Sequence, residues 1–288
     1  METPTGVLLG EYTPGTPEWE QARAGLCITA TQIAAVMGRS PWASRYSLWH
    51  QKAGLPVPPF QPNPAIEWGN RLESSVAQKW QDEHPGHSVQ VTGTWRHRDR
   101  GWQRATPDRI VVSDRAVELL EVKTSPFGQE WLDDVPLHYY IQIQWQLDTL
   151  GLDVCHVAVL ISGHDYREFT VEYDEGDAAV MRSAAEEFLD SVRRGEAPNI
   201  DGSQVTYDTI RRQPDRYDPT DVEIPGPIAA RYEIAQGAAK AASDELTAAK
   251  SLLLAALGTG RNAVHLGRRI AYRTAREDGT TIALQPAR

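Results

Sequence analysis

The amino-acid sequence predicts a layered α/β or α+β domain followed by a helical extension. Helical patterns lie before and after a middle segment in which short apolar runs alternate with turn residues, so helices are expected to cover a sheet. The composition is that of a globular protein, with 41% hydrophobic and 24% charged residues. A length of 288 residues suits one large domain with an appendage.

The first part of the chain predicts four helices, in segments 16–25, 28–38, 40–55 and 65–86. In the first, Thr16 is suited to the N-cap and Pro17 to the first helical position. The second has Thr29 or Thr31 as its cap and Gly38 as its stop. The fourth is long and amphipathic, so one face is expected to pack on the sheet.

The periodicity changes after residue 86. Three successive strands are predicted, in segments 88–99, 102–114 and 116–125. A helix over 136–152, a strand hairpin over 154–174 and a helix over 175–195 complete the domain. The hairpin is expected to turn at the Ser-Gly-His-Asp stretch, because small and polar residues interrupt its apolar run there.

The rest of the chain predicts an extension. Residues 196–222 are polar and irregular, which places a domain at 1–205, a linker at 206–222 and an extension at 223–288. The extension is predicted to contain one long alanine-rich helix that begins after Pro227. A terminal hairpin with its turn at 277–280 is predicted to follow.

The net charge of −10 argues against a general nucleic-acid coat but leaves a nucleic-acid enzyme possible, because basic contacts can be local. The charge is uneven: residues 261–288 carry +4 and the remainder −14. An anionic partner at the tail is one interpretation of this asymmetry, and a solvated surface hairpin is the other.

Compartment is indicated by what the sequence lacks. No run of about 18 apolar residues occurs, so no membrane-spanning helix is expected. The first residues show no basic segment followed by an apolar one, so no secretory signal is predicted. Cys27 and Cys155 lie in apolar contexts, which favours reduced core cysteines in a cytoplasm over a disulfide.

Two acids and a lysine mark a candidate site. Asp108 begins one apolar strand and Glu121 lies in the next, with Lys123 two positions beyond it. A short turn would pair these strands antiparallel, and the period of two puts Glu121 and Lys123 on one face, with Glu118 on the other. Two carboxylates and the carbonyl of Val122 suit Mg²⁺ or Mn²⁺. The alternative is a harmless ion pair, but the apolar surroundings favour a site.

These residues resemble the PD-(D/E)xK nuclease core, and the wider chain resembles the YqaJ-like viral recombinase family, which is related to the phage lambda exonuclease. The resemblance covers residues 16–205, in the family's order. Its matching segments are 25–55, 67–80, 105–112, 119–125, 139–151, 157–174 and 188–203. It implies a restriction-endonuclease-like core with a central mixed sheet flanked by helices. The helix and hairpin after it resemble an extension of some members.

The family's catalytic residues are carried over position by position. The implied metal ligands are Glu73, Asp108, Glu121 and the carbonyl of Val122. Lys123 would orient the attacking water, and Gln142 would hold Lys123 or that water. Gln144 lies roughly 200° around the helix and is expected to face elsewhere. By spacing alone, Glu73 would be a surface glutamate and Gln142 part of a polar helix face.

A second implied site would bind the 5′-phosphate of a DNA end, through Arg23, Thr31 and Thr106. A helix N-terminus and an arginine fork both suit a phosphate. The alternative is an exposed arginine with a simple threonine cap. Trp95 and Trp102 lie among four arginines, where they would contact DNA, stack a base or anchor the core, and the core is favoured.

The resemblance implies an Mg²⁺-dependent 5′-to-3′ exonuclease that degrades linear double-stranded DNA to 3′ single-stranded overhangs for phage-type recombination. It implies two metal ions per site with Mn²⁺ as a substitute, a trimeric ring, and an annealing protein as partner. It also implies a phage or prophage gene expressed in a bacterial cytoplasm. The alternatives are an endonuclease or single-strand nuclease on the same core, or a nuclease-inactive DNA-binding accessory protein.

Overall fold

The structure of the protein is a computed structural model that describes residues 3–13, 15–59, 61, 63–213 and 218–287. The chain divides into two compact units, residues 1–216 and residues 217–288, and each is described by itself. None of the helices within these described ranges combines the length and apolarity needed to cross a bilayer.

The helices of the first unit are α1 (Pro17–Arg23), α2 (Ala30–Val36), α3 (Arg45–Lys52), α4 (Pro64–Glu83), α5 (Leu137–Leu150), α6 (Glu175–Arg194) and α7 (Gln204–Ile210). Its strands are β1 (Gly6–Gly10), β2 (Ile28–Thr29), β3 (Ser88–Val91), β4 (Thr94–His97), β5 (Gln103–Ala105), β6 (Arg109–Val112), β7 (Val117–Ser125), β8 (Val154–Ile161) and β9 (Asp165–Glu172). A 3-10 turn covers Gln129–Trp131.

A five-stranded mixed sheet in the order β3-β6-β7-β8-β9 lies at the centre of this unit. Only the β7–β8 pair is parallel within it, because α5 makes the crossover between these strands. Helix α4 covers one face, where Trp80 packs with Leu120 and Val122. Helix α5 lies with the larger core that contains Leu119 and Val157. The predicted mixed sheet flanked by helices is therefore confirmed.

The prediction of three successive strands over 88–125 is wrong, because five strands in two sheets occupy this region. A second sheet, in the order β1-β4-β5-β2, takes up the middle of the segment. The chain leaves the first sheet at Gly93, where an added Cβ would lie 2.0 Å from the carbonyl oxygen of Gly10. It returns at Pro107, which has no amide to donate to a ladder.

Several helix ends follow the predicted signals. Thr16 caps α1 and accepts a hydrogen bond from the amide of Trp19, and Gly151 ends α5 in the left-handed conformation. Helix α2 is capped by Thr29, so the alternative cap Thr31 lies inside its first turn. Cys27 and Cys155 are buried and free, as predicted.

Residues 196–222 are not irregular throughout, because α7 begins at Gln204. The hydroxyl of Thr206 donates to Ser44 Oγ at 2.7 Å, and the side chain of Thr206 is fully buried. This contact attaches α7 to the cap of α3. The predicted boundary at residue 205 therefore falls within a helix that packs on the first unit.

The second unit consists of α8 (Gly226–Leu257) and the strands β10 (Asn262–His265), β11 (Arg268–Ala275) and β12 (Thr281–Pro286). The predicted long helix is present, but it begins just before Pro227. The terminal hairpin is a three-stranded sheet, and its second turn lies at the predicted 277–280. Ala263, Ala271 and Leu284 form its small core against leucines of α8.

Candidate active site

Asp108 and Glu121 meet because β6 and β7 pair antiparallel with Arg109 opposite Leu120. The next pair along the ladder would be Asp108 and Glu121. There β6 has ended, and the Oδ2 atom of Asp108 accepts a hydrogen bond from the amide of Val122 at 2.8 Å. Since the N–H and C=O of one residue point to the same strand edge, the Val122 carbonyl faces the side of Asp108.

Glu121 is 1% exposed and accepts hydrogen bonds at both carboxylate oxygens. Lys123 Nζ and Gln142 Nε2 donate to Oε1, and Gln146 Nε2 donates to Oε2 at 2.9 Å. The ammonium of Lys123 also lies 4.9 Å from the ring centre of Tyr139. Gln142 therefore acts on Lys123 through the shared carboxylate of Glu121, whereas direct contact with Lys123 or a water was predicted.

Helix α5 determines which glutamines reach the site. Gln142 and Gln146 are four residues apart and share one helix face. Gln144 faces away from the site, as predicted. It donates to the carbonyl of Glu172 and accepts from the amide of Asp174. Gln146 was missed, although its four-residue spacing from Gln142 was the available signal.

Glu73 lies on α4, and its carboxylate is held by Arg109. Like Gln146, Arg109 was not among the predicted site residues. Arg109 Nη1 donates to Glu73 Oε1 at 2.6 Å and to the carbonyl of Asp108 at 2.6 Å. Arg109 lies one position after Asp108, which was the only signal for it. The carboxylate of Glu73 is thus tied to the turn that carries Asp108.

These side chains open into a groove with a volume of about 1600 Å³. The groove is lined by Thr31, Glu73, Asp108, Val122, Lys123 and Gln142. Six of the predicted site residues therefore share one surface, and Glu121 lies buried beneath it.

The electrostatics of the site are those of crowded buried acids. Burial first, and the neighbouring Glu121 second, raise the pKa of Asp108 to about 8. Burial alone would lower the pKa of Lys123, but Glu121 and Asp108 together raise it above its ordinary value. Lys123 is therefore charged at neutral pH, and this one cation faces the carboxylate of Glu121 and the carboxyl group of Asp108.

The donor set fits a hard divalent cation in its chemistry. Asp108 and Glu121 supply carboxylate oxygens, and Val122 supplies a carbonyl at the strand edge. Burial and a like charge raise the pKa of a carboxyl, and a bound cation lowers it again by stabilising the ionised form. In the part of the chain that the structure describes, no three acid, histidine or cysteine side chains converge as a metal cluster. Arg109 and Lys123 hold Glu73 and Glu121 in their present positions.

The predicted phosphate site is partly assembled. Arg23 Nη2 donates to Thr31 Oγ1 at 3.0 Å, and the guanidinium lies 4.1 Å from the ring centre of Trp19. Burial lowers the pKa of Arg23, while Glu20 and Cys27 oppose this shift. Thr106 instead bonds to Thr94 at 3.0 Å. Among the described residues, no hydrogen bond joins Thr106 to Arg23 or Thr31.

The tryptophans near the arginine-rich segment belong to the core. Trp95 is 1% exposed, and Trp102 packs against the main core with Trp145 at 5.9 Å between ring centres. The interpretation of these residues as core anchors is confirmed. Trp95 is fully enclosed, and Trp102 is partly buried.

The first unit has a restriction-endonuclease-like fold, which it shares with a solved alkaline exonuclease. The alkaline exonuclease LHK-Exo from Laribacter hongkongensis matches with a TM-score of 0.52 and 22% identity, over 63% of this chain and 94% of its own. The structure of LHK-Exo in complex with dAMP matches with the same values. At this identity the likeness establishes the fold.

Comparison of the sequence with protein families gives a more specific match than comparison of the fold. Residues 18–153 match the YqaJ-like viral recombinase domain, which confirms the resemblance found in the sequence. The uncharacterized protein YqaJ of Bacillus subtilis (strain 168) is 29% identical over 193 residues, which is 65% of this chain. The match spans 60% of the length of that relative.

Proposed function

We propose that the protein is a metal-dependent deoxyribonuclease that degrades linear duplex DNA from the 5′ end and leaves a 3′ single strand for recombination. The observation that carries the proposal is the placement of Asp108 and Lys123 side by side in one groove, with Glu121 directly beneath them. Glu73 and Gln142 join this group from helices on the two sides of the sheet. Carboxylates and a lysine in this arrangement suit hydrolysis of a phosphodiester.

The proposal includes Mg²⁺ as the cofactor, with two ions per site and Mn²⁺ as a substitute. Asp108, Glu121 and the Val122 carbonyl would hold one ion, and Glu73 would contribute to the other after release from Arg109. A divalent cation there stabilises charge on the phosphate and makes a bound water more acidic.

The chain's own groups supply positioning and charge. Lys123 carries a positive charge next to the carboxylates, where it can orient an attacking water by hydrogen bonding and offset negative charge on the phosphate. Glu121 fixes the ammonium of Lys123, and Gln142 and Gln146 fix Glu121. The attacking group is therefore aligned by side chains that are themselves buried and hydrogen-bonded.

Arg23 and Thr31 support the proposed 5′ polarity. A guanidinium held against a threonine hydroxyl presents further N–H donors to a terminal phosphate. Thr31 also lines the groove that contains Asp108 and Lys123. A phosphate held at this position would place the first nucleotides of one strand along the groove.

The test is a cleavage assay with Mg²⁺ on three substrates: linear duplex with 5′-phosphates, the same duplex with 5′-hydroxyls, and a closed circle. We expect rapid loss of the phosphorylated duplex, slow loss of the hydroxylated one and an intact circle. Lys123→Ala and Asp108→Ala should abolish cleavage. Wild-type rates in both variants contradict the proposed nuclease, and cutting of the circle favours an endonuclease.

The polarity is tested separately with Arg23→Ala. It should lose the preference for a 5′-phosphate, whereas Arg193→Ala, an exposed arginine on α6, should keep it. If Arg23→Ala kept the same preference for a 5′-phosphate as Arg193→Ala, the assignment of Arg23 to the phosphate site would be wrong.

The recombination setting of the proposal rests on the family match. It includes a single-strand annealing protein as partner, a trimeric ring around DNA and a phage or prophage gene in a bacterial host. Light scattering of the purified protein should give three times the mass of the 32.0 kDa chain. A monomer at micromolar concentration would contradict the ring.

A further inference from the structure

An exposed tryptophan stands at the rim of the catalytic groove. Trp42 lies in the loop between α2 and α3, and 62% of its surface is exposed. It lines the same groove as Asp108 and Lys123. A large aromatic ring that is open to water gains favourable free energy when a ligand in the groove covers it.

Neighbouring rings hold Trp42 in place. His138 lies edge-on to it, with 4.9 Å between ring centres and 86° between planes, and Tyr139 lies 5.8 Å away. Tyr139 in turn stacks on the buried Trp131 at 5.5 Å. The indole is thus anchored to the core through other rings, and such anchoring lowers the entropy cost of binding to it.

The same rings connect Trp42 to the reacting centre. Tyr139 lies between Trp42 and the ammonium of Lys123, which is 4.9 Å from the centre of the tyrosine ring. A nucleotide whose phosphate reaches Lys123 would therefore have its base near the aromatic rim. Bases have flat π-faces, and stacking on tryptophan is tolerant of their sequence.

We propose that Trp42 stacks on an unpaired nucleobase of the strand whose phosphate lies at Lys123. The inference rests on the proposed nuclease function and adds a base-binding subsite to it. Inside an intact duplex the faces of each base are covered by its neighbours, so Trp42 can be covered only by a terminal or unpaired base. The subsite therefore selects DNA with a free or frayed end.

The chain offers a matched control. Trp68, near the start of α4, is 60% exposed, which is nearly the same as Trp42. It is not among the described residues that line the groove, although Ile66 and Gly69 are. Replacing either tryptophan removes the same exposed ring, and only Trp42 is placed to meet a base at the site.

The experiment measures binding of single-stranded DNA oligonucleotides by fluorescence anisotropy in EDTA, so that no cleavage occurs. Trp42→Ala should weaken binding about 5- to 150-fold, Trp42→Phe should recover most of it, and Trp68→Ala should stay within about twofold. An abasic site scanned along the oligonucleotide should weaken binding to the parent at one position. The same abasic site should have no further effect on Trp42→Ala, because the stacking partner is already absent.

Three results would overturn the assignment: equal losses in Trp42→Ala and Trp68→Ala, an abasic effect that persists in Trp42→Ala, or no measurable binding of single strands by the parent. Thermal unfolding of each variant shows whether a loss comes from misfolding. If Trp42→Ala unfolds, Trp42→Leu, which keeps an apolar side chain without a ring, takes its place and should show the same loss. Because the readout is binding, its failure is separate from that of the nuclease. A parent that binds in this pattern but cuts no DNA contradicts the proposed nuclease only.

Discussion

Strand β7 carries two glutamates on opposite faces, each paired with a basic side chain, and the two pairs differ in burial and in neighbouring acids. Glu121 and Lys123 face α5, where Asp108 lies beside them and the glutamate is 1% exposed. Glu118 lies on the other face and pairs with His156 at 3.1 Å, with both side chains still 18–19% exposed. Only the first pair is buried with a second acid.

The difference shows that an acid–base pair in the sequence is not by itself a site. Glu118 has one partner, His156, and both side chains remain in partial contact with solvent. On the other face, the side chains of Glu121 and Asp108 share one lysine, and burial raises the pKa of Asp108. Such crowding works against folding, and proteins retain it mainly where function requires it.

Removing one acid from each face of β7 should give the largest difference between the two faces, measured as DNA cleavage. Asp108→Asn keeps the shape but loses a charged ligand, so cleavage of linear duplex DNA should fall on the order of 1000-fold. Glu118→Gln on the opposite face should cut within about twofold of the parent. Equal losses in both variants would end the distinction between the faces.

The next largest difference between the two faces of β7 is expected in the free energy of unfolding. Lys123→Met leaves the buried Glu121 without its cation and should lower the free energy of unfolding by about 3–5 kcal/mol. Glu118→Gln breaks a partly exposed pair and should cost about 1 kcal/mol or less. Urea unfolding at pH 7 in EDTA measures both, and an undiminished stability of Lys123→Met would show that Glu121 needs no cation.

Gln146 sharpens the account of the buried face. Gln146→Leu leaves Glu121 Oε2 without its donor and should cost about 1–3 kcal/mol in urea unfolding. Gln78→Leu on the exposed side of α4, where the glutamine bonds to Asp82, should change stability by about 0.5 kcal/mol or less. A cost of that small size in Gln146→Leu would mean that Glu121 does not depend on the helix.

The pH dependence of stability is expected to change the free energy of unfolding gradually, from one pH unit to the next. The pKa of Asp108 is about 8 in the folded protein, above its unfolded value, so the folded state holds the extra proton between about pH 4 and 8. In EDTA, stability should therefore fall as the pH rises through this window, by up to about 1.4 kcal/mol per pH unit.

Two variants control this measurement by urea unfolding at several pH values. Asp108→Asn should remove the slope, and Glu118→Gln on the opposite face should keep it. A slope that survives in Asp108→Asn would assign the titration to another group.

Much of the site could be predicted because its signals are local. The spacing of Asp108, Glu121 and Lys123 required only a short turn and the two-residue period of a strand, and both features are present. Gln144 was predicted to face away from the site by the angle between successive helical residues. The resemblance to the YqaJ-like family supplied Glu73 and Gln142, which spacing alone would have left as surface residues.

The strand breaks could not be predicted from periodicity. Segment 88–99 has continuous strand-like character, yet Gly93 passes within contact of Gly10, far away in the chain, and the two halves join different sheets. Likewise α7 has a weak helical pattern and is held by a buried hydroxyl bond between Thr206 and Ser44. Both outcomes depend on distant partners.

The sequence by itself determined the helix caps, the facing of Glu121 and Lys123, and the pairing of Asp108 with Glu121, because each depends on neighbours within one or two elements. Only the tertiary structure decided that Arg109 holds Glu73, that Gln146 reaches Glu121, and that Trp42 stands exposed at the groove. These contacts join elements that are remote in the chain, and no local period encodes which remote segments meet.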